Sequence, residues 1–224
     1  ISKSIDTSQL SSKEMKGLFQ KNVEFVTKDN QEKHVFDKKQ AEQLLKDEGY
    51  NKNDDGIFEK DGKPLSLNLT IQTAEFPNWK DKAEKLQRQL KQVGIKLNIK
   101  TLDAQTYYDT LWTKKDYDLI FYRTYSDALM PYNFMNSVYR NMDGKPGVLA
   151  DDEQLTKKLD EFPSKVSKDE QQQAFDEIFK HFNKQYYGVP IAYPNETFVL
   201  SDKVKSFKFS GLTDAPIAVS YTHL

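Results

Sequence analysis

The chain has no cysteine among its 224 residues, which excludes a disulfide framework, a thiolate metal site and a cysteine nucleophile. An oxidising compartment stays open, because a protein can meet one by avoiding the residue. Histidine is scarce: His34, His181 and His223 are the only three, and none has another at i+3, i+4 or i+5. No protein-built zinc site is visible in that spacing. Neither charge sign dominates, with 33 Lys and Arg against 34 Asp and Glu and a formal net charge of -1. A chain without a one-signed field does not recruit a polyanion, so nucleic acid is not an expected partner. Apolar runs of the ~18 residues that cross a bilayer are missing, as is a signal-peptide pattern. So are the G-x-S-x-G elbow, the P-loop and the G-x-G-x-x-G fingerprint, and the carboxylate pairs Asp54-Asp55 and Asp151-Asp152 stand in turn or helix-start contexts, where solvation and capping account for them. No enzyme and no resident cofactor are expected.

The chain opens at Ile1 and reads as starting inside a longer protein. Residues 219–224 continue without pattern and read as a non-native tail, so His223 is left out of the chemistry. Between these ends the composition, 37% hydrophobic, 12% aromatic and 30% charged, is that of a folded globular chain rather than a disordered one.

Residues 1–36 are polar and irregular and read as a loop with one helical turn near Leu18. Asp37 then offers an N-cap, Ala41, Leu44 and Leu45 recur at helical spacing, and Gly49 closes the helix. Turn clusters at residues 51–56 and 60–64 bracket Ile57 and Phe58, which predicts a tight hairpin-like connection. Leu65, Leu67, Leu69 and Ile71 alternate with polar residues as a strand with one buried face does. Trp79, Ala83, Leu86, Leu90 and Val93 define an amphipathic helix ended by Gly94, and Ile95, Leu97 and Ile99 restore the period of two. A strand, a helix and a strand in that order imply a parallel pair. A helix over residues 104–113 and a strand over residues 117–122 follow, so the first half is an α/β unit.

Beyond Arg123 the composition turns to Pro, Asn, Gly, Tyr and Met, and no regular periodicity is expected until about residue 152; a loop of that length is usually functional. Helices are expected over residues 152–162 and 167–186, the second opened by Ser167 with Glu170 as a capping box. His181, between Lys180 and Phe182, reads as a partly exposed structural histidine. Strands are expected at residues 191–193 and 197–200.

Two features bear on ligands. Asn51, Asn53, Asp55 and Gly56 occupy positions 1, 3, 5 and 6 of an EF-hand loop, but position 12 is Gly62 where a bidentate Glu is required, so no tight calcium site is expected. Arg123 lies at a strand's carboxyl end, where α/β proteins place ligands, and its guanidinium can hold a carboxylate through two parallel hydrogen bonds. A structural ion pair bracing the loop is the alternative reading of that residue. Tyr125, Tyr132 and Tyr139 supply flat amphipathic surfaces nearby.

The run Ala41-Glu42-Gln43-Leu44-Leu45-Lys46-Asp47-Glu48-Gly49-Tyr50, then Asp54-Asp55-Gly56-Ile57 and Lys60-Asp61-Gly62-Lys63-Pro64-Leu65, resembles a signature of the family 5 solute-binding proteins of ABC importers. Further on, the helix from Trp79 to Gly94 with Ile95, and Tyr117-Asp118-Leu119, are similar to that family's Q-L-x-x-[IV]-G-[IV] helix and Y-D-[LM] strand. The resemblance spans residues 12–218. It implies an α/β, two-lobe periplasmic-binding-protein-like fold with its N-terminal part missing: residues 1–124 as most of the C-terminal lobe, and residues 125–218 as a hinge crossing and a return segment. It also implies capture of a metal chelate or short peptide, delivery to ABC permease transmembrane subunits, an extracytoplasmic monomer, and a lipid anchor in the full-length protein. A peptide-signal sensing lipoprotein of the same fold is the alternative.

Phe121-Tyr122-Arg123-Thr124-Tyr125, Pro131, Tyr193-Pro194 and Val199 resemble nickel-binding members in particular. A second aromatic of that pattern falls on Leu129, and its histidine has no counterpart near Asp143. This places nickel, if carried, inside a chelate. The ligand-contacting residues so expected are Arg123, Tyr125, Tyr132, Asn133, Tyr139 and Arg140.

Overall fold

A computed structural model of the chain describes residues 1–11, 15, 17–20, 23–31, 34–124, 129–193 and 198–207. The first long element is helix α1 (Lys38–Asp47), whose N-cap Asp37 accepts from the Gln40 amide. Only Ala41 is buried on it, with Leu45 packed against the core. Leu44, expected on the inward face, is 50% exposed: a short helix lying on the rim offers the core a narrower stripe than its sequence does.

Strands β1 (Asn51–Lys52), β2 (Phe58–Lys60) and β3 (Lys63–Pro64) form an antiparallel meander. Its first turn is closed by Asn53, whose Oδ1 accepts from the amides of Asp55 at 3.1 Å and Ile57 at 3.0 Å. That oxygen serves the backbone rather than a cation.

The next unit carries the architecture. Strand β4 (Ser66–Gln72), helix α2 (Trp79–Val93) and strand β5 (Lys96–Leu102) make the expected crossover, with β4 and β5 parallel from Ser66 opposite Lys96 to Gln72 opposite Leu102. Helix α3 (Ala104–Asp109), extended by a π-helical turn over Thr110–Lys114, returns the chain to β6 (Leu119–Ile120). Strand β6 pairs with the far side of β4, so the order is β5-β4-β6 with β4 central. The regular part of β6 is shorter than the 117–122 expected; Asp118 instead accepts from the Asn68 amide at 2.7 Å, and the Phe121 amide donates to Thr70 at 3.1 Å.

Strand β4 alternates as its sequence does only in its first half. From Leu69 to Gln72 every residue is buried, because α2 and α3 both pack on this central strand and parallel sheets are covered on both faces. Gly94 then lets α2 end against the meander: its φ is +102°, and a Cβ there would stand 2.7 Å from the Gly56 carbonyl oxygen.

A second core is helical. Helix α4 (Pro131–Tyr139) stands within the stretch expected to be irregular, and buries Phe134, Met135, Val138 and Tyr139. Its Asn, Tyr and Ser content gives weak helix propensity, which the burial of four residues on one face overrides. The signal available in the sequence was Pro131, seated at the first helical turn, where its missing N–H costs nothing. Helices α5 (Glu153–Glu161) and α6 (Lys168–Gln185) complete the layer, α6 opened by the Ser167 and Glu170 capping box. Phe19, from the segment before α1, is enclosed here by Phe134 and Phe179, whereas Ile5 and Leu10 of the same segment belong to the α/β core. Tyr122, Val148 and Leu149 pack against both cores.

The strands expected at residues 191–193 and 197–200 do not form among the described residues, where Ala192 makes only an isolated bridge. No helix of the described residues is long and apolar enough to cross a membrane.

Candidate functional site

Strands β4, β5 and β6 run in one direction, so their carboxyl ends open at one edge of the sheet. In open α/β sheets that edge is where ligands are held. Four aromatic side chains build its floor. Phe76 stacks on Trp79 at 4.3 Å between ring centroids, and Trp79 meets Tyr107 and Phe121 edge-on at 5.9 and 5.8 Å. The Tyr107 hydroxyl donates to the Phe121 carbonyl at 2.5 Å, which ties α3 to the residue just past β6. Burial raises the Tyr107 phenol well above its ordinary value, so it remains the donor.

Over this floor lies Arg123, its guanidinium carbon 5.6 Å from the Phe76 ring centroid. A cation over an aromatic face gains about 0.5 to 2 kcal/mol, depending on how far it is desolvated. The same contact fixes the plane of a group that reads carboxylates by its planar fork. Beside it, buried Gln72 at the end of β4 grips Glu75: Oε1 accepts from the Glu75 amide at 2.9 Å and Nε2 donates to Glu75 Oε2 at 2.6 Å. Tyr108 of α3 donates its hydroxyl to that same Oε2 at 2.8 Å.

The other expected contact residues lie elsewhere or outside the described residues. Tyr125 is among the latter. Tyr132 stacks on Phe162 at 4.3 Å and donates to the Leu159 carbonyl at 3.0 Å. Asn133 is exposed next to Met130, with 3.5 Å between Nδ2 and Sδ. Tyr139 is 3% exposed, its ring enclosed by Phe134, Phe182 and Tyr187. Arg140 pairs with Asp160 at 2.5 Å. These four share α4 and its end and face the helical core or its rim, whereas Arg123 stands on the aromatic floor of the sheet. Sequence reasoning missed Glu75 and Phe76. The carboxyl-end rule that singled out Arg123 applies equally to β4, and would have found them.

A second polar cluster lies in the helical core. Asp152 caps α5 by accepting from the Leu155 amide at 2.9 Å, and its other oxygen accepts from the Tyr187 hydroxyl and His181 Nε2, each at 2.6 Å. Burial, the largest influence on Asp152, would raise its carboxyl. The bonds from Tyr187, Leu155 and His181 outweigh burial and hold it below the usual carboxylate range. The His181 side chain is 13% exposed, a partly exposed structural histidine as its sequence context indicated, with Asp152 satisfying its ring nitrogen. A small open cleft between His34, Asn183 and Tyr186, about 60 Å³ in volume, is too small for a peptide. Among the described residues no group of three His, Asp or Glu side chains is arranged to hold a metal.

A parallel sheet with an open carboxyl edge is joined to a helical layer through Tyr122, Val148 and Leu149. The chain belongs to the bacterial extracellular solute-binding proteins of family 5: the family model described as family 5 Middle matches residues 3–145. Among solved structures it is similar to NikA from Brucella suis in complex with Fe(III)-EDTA, at 21% identity and a TM-score of 0.74 over 85% of this chain and 40% of that one. It is also similar to the oligopeptide-binding protein AppA from Bacillus subtilis in complex with a nonapeptide, at 19% identity and a TM-score of 0.75 over 86% and 40%. A nickel ABC transporter from Bacillus halodurans matches at 20% identity and a TM-score of 0.71 over 86% and 41%. These likenesses establish the periplasmic-binding-protein fold. The chain spans about 40% of the length of the solved proteins it matches.

Proposed function

We propose that the chain is part of the substrate-binding subunit of an ABC importer, which captures a metal chelate or a short peptide and delivers it to a membrane permease. The observation that carries this reading is Arg123, held over Phe76 at the carboxyl edge of the parallel sheet, where it offers a ligand carboxylate a bidentate partner. The ligands named for two similar structures, Fe(III)-EDTA and a nonapeptide, share carboxylates as their common anionic group, which supports one recognition chemistry for both classes. Capture of this kind needs no bond made or broken, and a nickel ion, if carried, arrives inside its chelate. The subunit acts as an extracytoplasmic monomer, anchored as a lipoprotein or free in the periplasm. Residues 1–124 supply most of one lobe, and residues 125–218 supply the crossing and return.

Substituting Arg123→Lys in the full-length protein keeps the charge and removes the fork. Affinity for a carboxylate-bearing ligand, first identified by native mass spectrometry of protein purified from its host, is expected to fall by roughly 1.5 to 3 kcal/mol, about ten- to a hundredfold. The ligand-free melting temperature stays unchanged in this reading. Unchanged affinity together with a lower melting temperature would assign Arg123 to bracing the loop instead.

A further inference from the structure

Sulfur in this chain is confined to four methionines, because there is no cysteine. Met15 is partly buried. Met135 is fully enclosed in the helical core, whereas Met130 and Met142 are each 55% exposed. Met130 stands apart by its position: it is the N-cap of α4, with Pro131 directly after it, and no side chain caps that end. The side-chain amide of Asn133, at the third helical position, instead reaches back to the Met130 sulfur, with 3.5 Å between Nδ2 and Sδ. A thioether is a weak acceptor, so a good donor faces a poor acceptor across the first turn of the helix. In a capping box, bonds between those same two positions fasten the first turn.

We propose that Met130 is a modification site for hydrogen peroxide, and that its sulfoxide fastens the start of α4 by accepting from Asn133 Nδ2. A sulfur lone pair attacks one peroxide oxygen, the S–O bond forms as the O–O bond breaks, and the departing hydroxide takes the proton of the transferred oxygen to leave as water. Sulfur is oxidised by two electrons and the peroxide is reduced by two. The new oxygen is a strong acceptor formed where a donor already stands. The same oxidation at Met135, on the same helix, would set that dipole unpaired in an apolar core, which is costly. Position along α4 therefore decides whether oxidation fastens the helix or damages it. Family 5 proteins are extracellular, outside the thiol pool that keeps the cytosol reducing. Nothing in this inference depends on the ligand or on Arg123.

The test treats the full-length protein with dilute hydrogen peroxide and follows each methionine by peptide mass mapping. Met130 should gain one oxygen at least about tenfold faster than Met135, since susceptibility follows exposure. Hydrogen exchange is then read at the Phe134 amide, whose 3.0 Å bond to the Met130 carbonyl closes the first turn of α4. Exchange there should slow by about two- to tenfold, the scale of one added hydrogen bond. Met130→Leu treated in the same way should show no slowing, which removes the oxidation of every other methionine from the comparison. Asn133→Asp keeps the shape but cannot donate, so it should still oxidise at Met130 and lose the gain. Equal oxidation rates at Met130 and Met135 overturn the inference even if no variant folds. Unchanged or faster exchange in the oxidised wild type overturns it too, and so does an equal slowing in Asn133→Asp, which would take the effect away from this bond.

Discussion

Asp152 shows how one side chain ties three segments together. It caps α5, receives His181 from the last turns of α6, and receives Tyr187 from just beyond that helix. Its carboxyl is held below the ordinary range, so the folded value lies below the unfolded one of about 3.9. Such a group contributes its stability in full above the unfolded value and loses it as the pH falls through the folded one. Urea denaturation from pH 7 downward should therefore show a loss of stability setting in below about pH 4 that Asp152→Asn largely removes. At pH 7 the variant should itself be less stable by about 1 to 3 kcal/mol, the worth of bonds to a buried charge, because asparagine still caps the helix but cannot accept as a carboxylate does. Equal acid sensitivity in both proteins would show that Asp152 carries no linkage.

Among the elements, the join between α2 and the meander depends on Gly94. Two glycines of this join have positive φ, but their surroundings differ: a Cβ at Gly94 meets the Gly56 carbonyl oxygen at 2.7 Å, and one at Gly56 meets nothing within 4 Å. Gly56→Ala should cost only the left-handed backbone strain, about 1 to 2 kcal/mol. Gly94→Ala should cost more, because a backbone oxygen cannot swing aside as a side chain can, and the Phe58 amide bond to the Gly94 carbonyl at 2.7 Å moves with it. Thermal melts of the two variants check the order, and equal melting temperatures would refute the steric argument. Helix α4 makes the complementary point. Its sequence carries a start signal and a buried stripe, Phe134, Met135 and Val138, but the stripe reads as helical only once α5, α6 and Phe19 are present to cover it.

For the whole molecule, the two cores are joined through Tyr122, Val148 and Leu149, and Tyr122 immediately precedes Arg123. The expected hinge crossing begins at residue 125, and residues 125–128 lie outside the described residues. If the ligand is clasped between lobes, its binding selects a closed state through contacts made on both sides. Small-angle scattering of the full-length protein should then show a smaller radius of gyration with ligand than without. Superimposable profiles would rule out closure about a hinge.

What the sequence determined by itself was local. Asp37, Ser167 with Glu170, and Gly94 are legible because caps are short-range bonds between neighbours in the chain, and the β4, α2, β5 order is legible because its periodicities change cleanly at Gly94. The family signature over residues 41–65 was legible for the same reason. Only the tertiary structure decided what depends on partners far along the chain. It buried β4 completely from Leu69 to Gln72 by packing α2 and α3 on the strand. It carried Phe19 into a core built by residues more than a hundred positions later. At the carboxyl edge of the sheet it brought Glu75, Phe76, Tyr108 and Arg123 from three segments to one place. No periodicity records that meeting, because it follows from strand order, and strand order is set by how helices cover a sheet rather than by any one segment's composition.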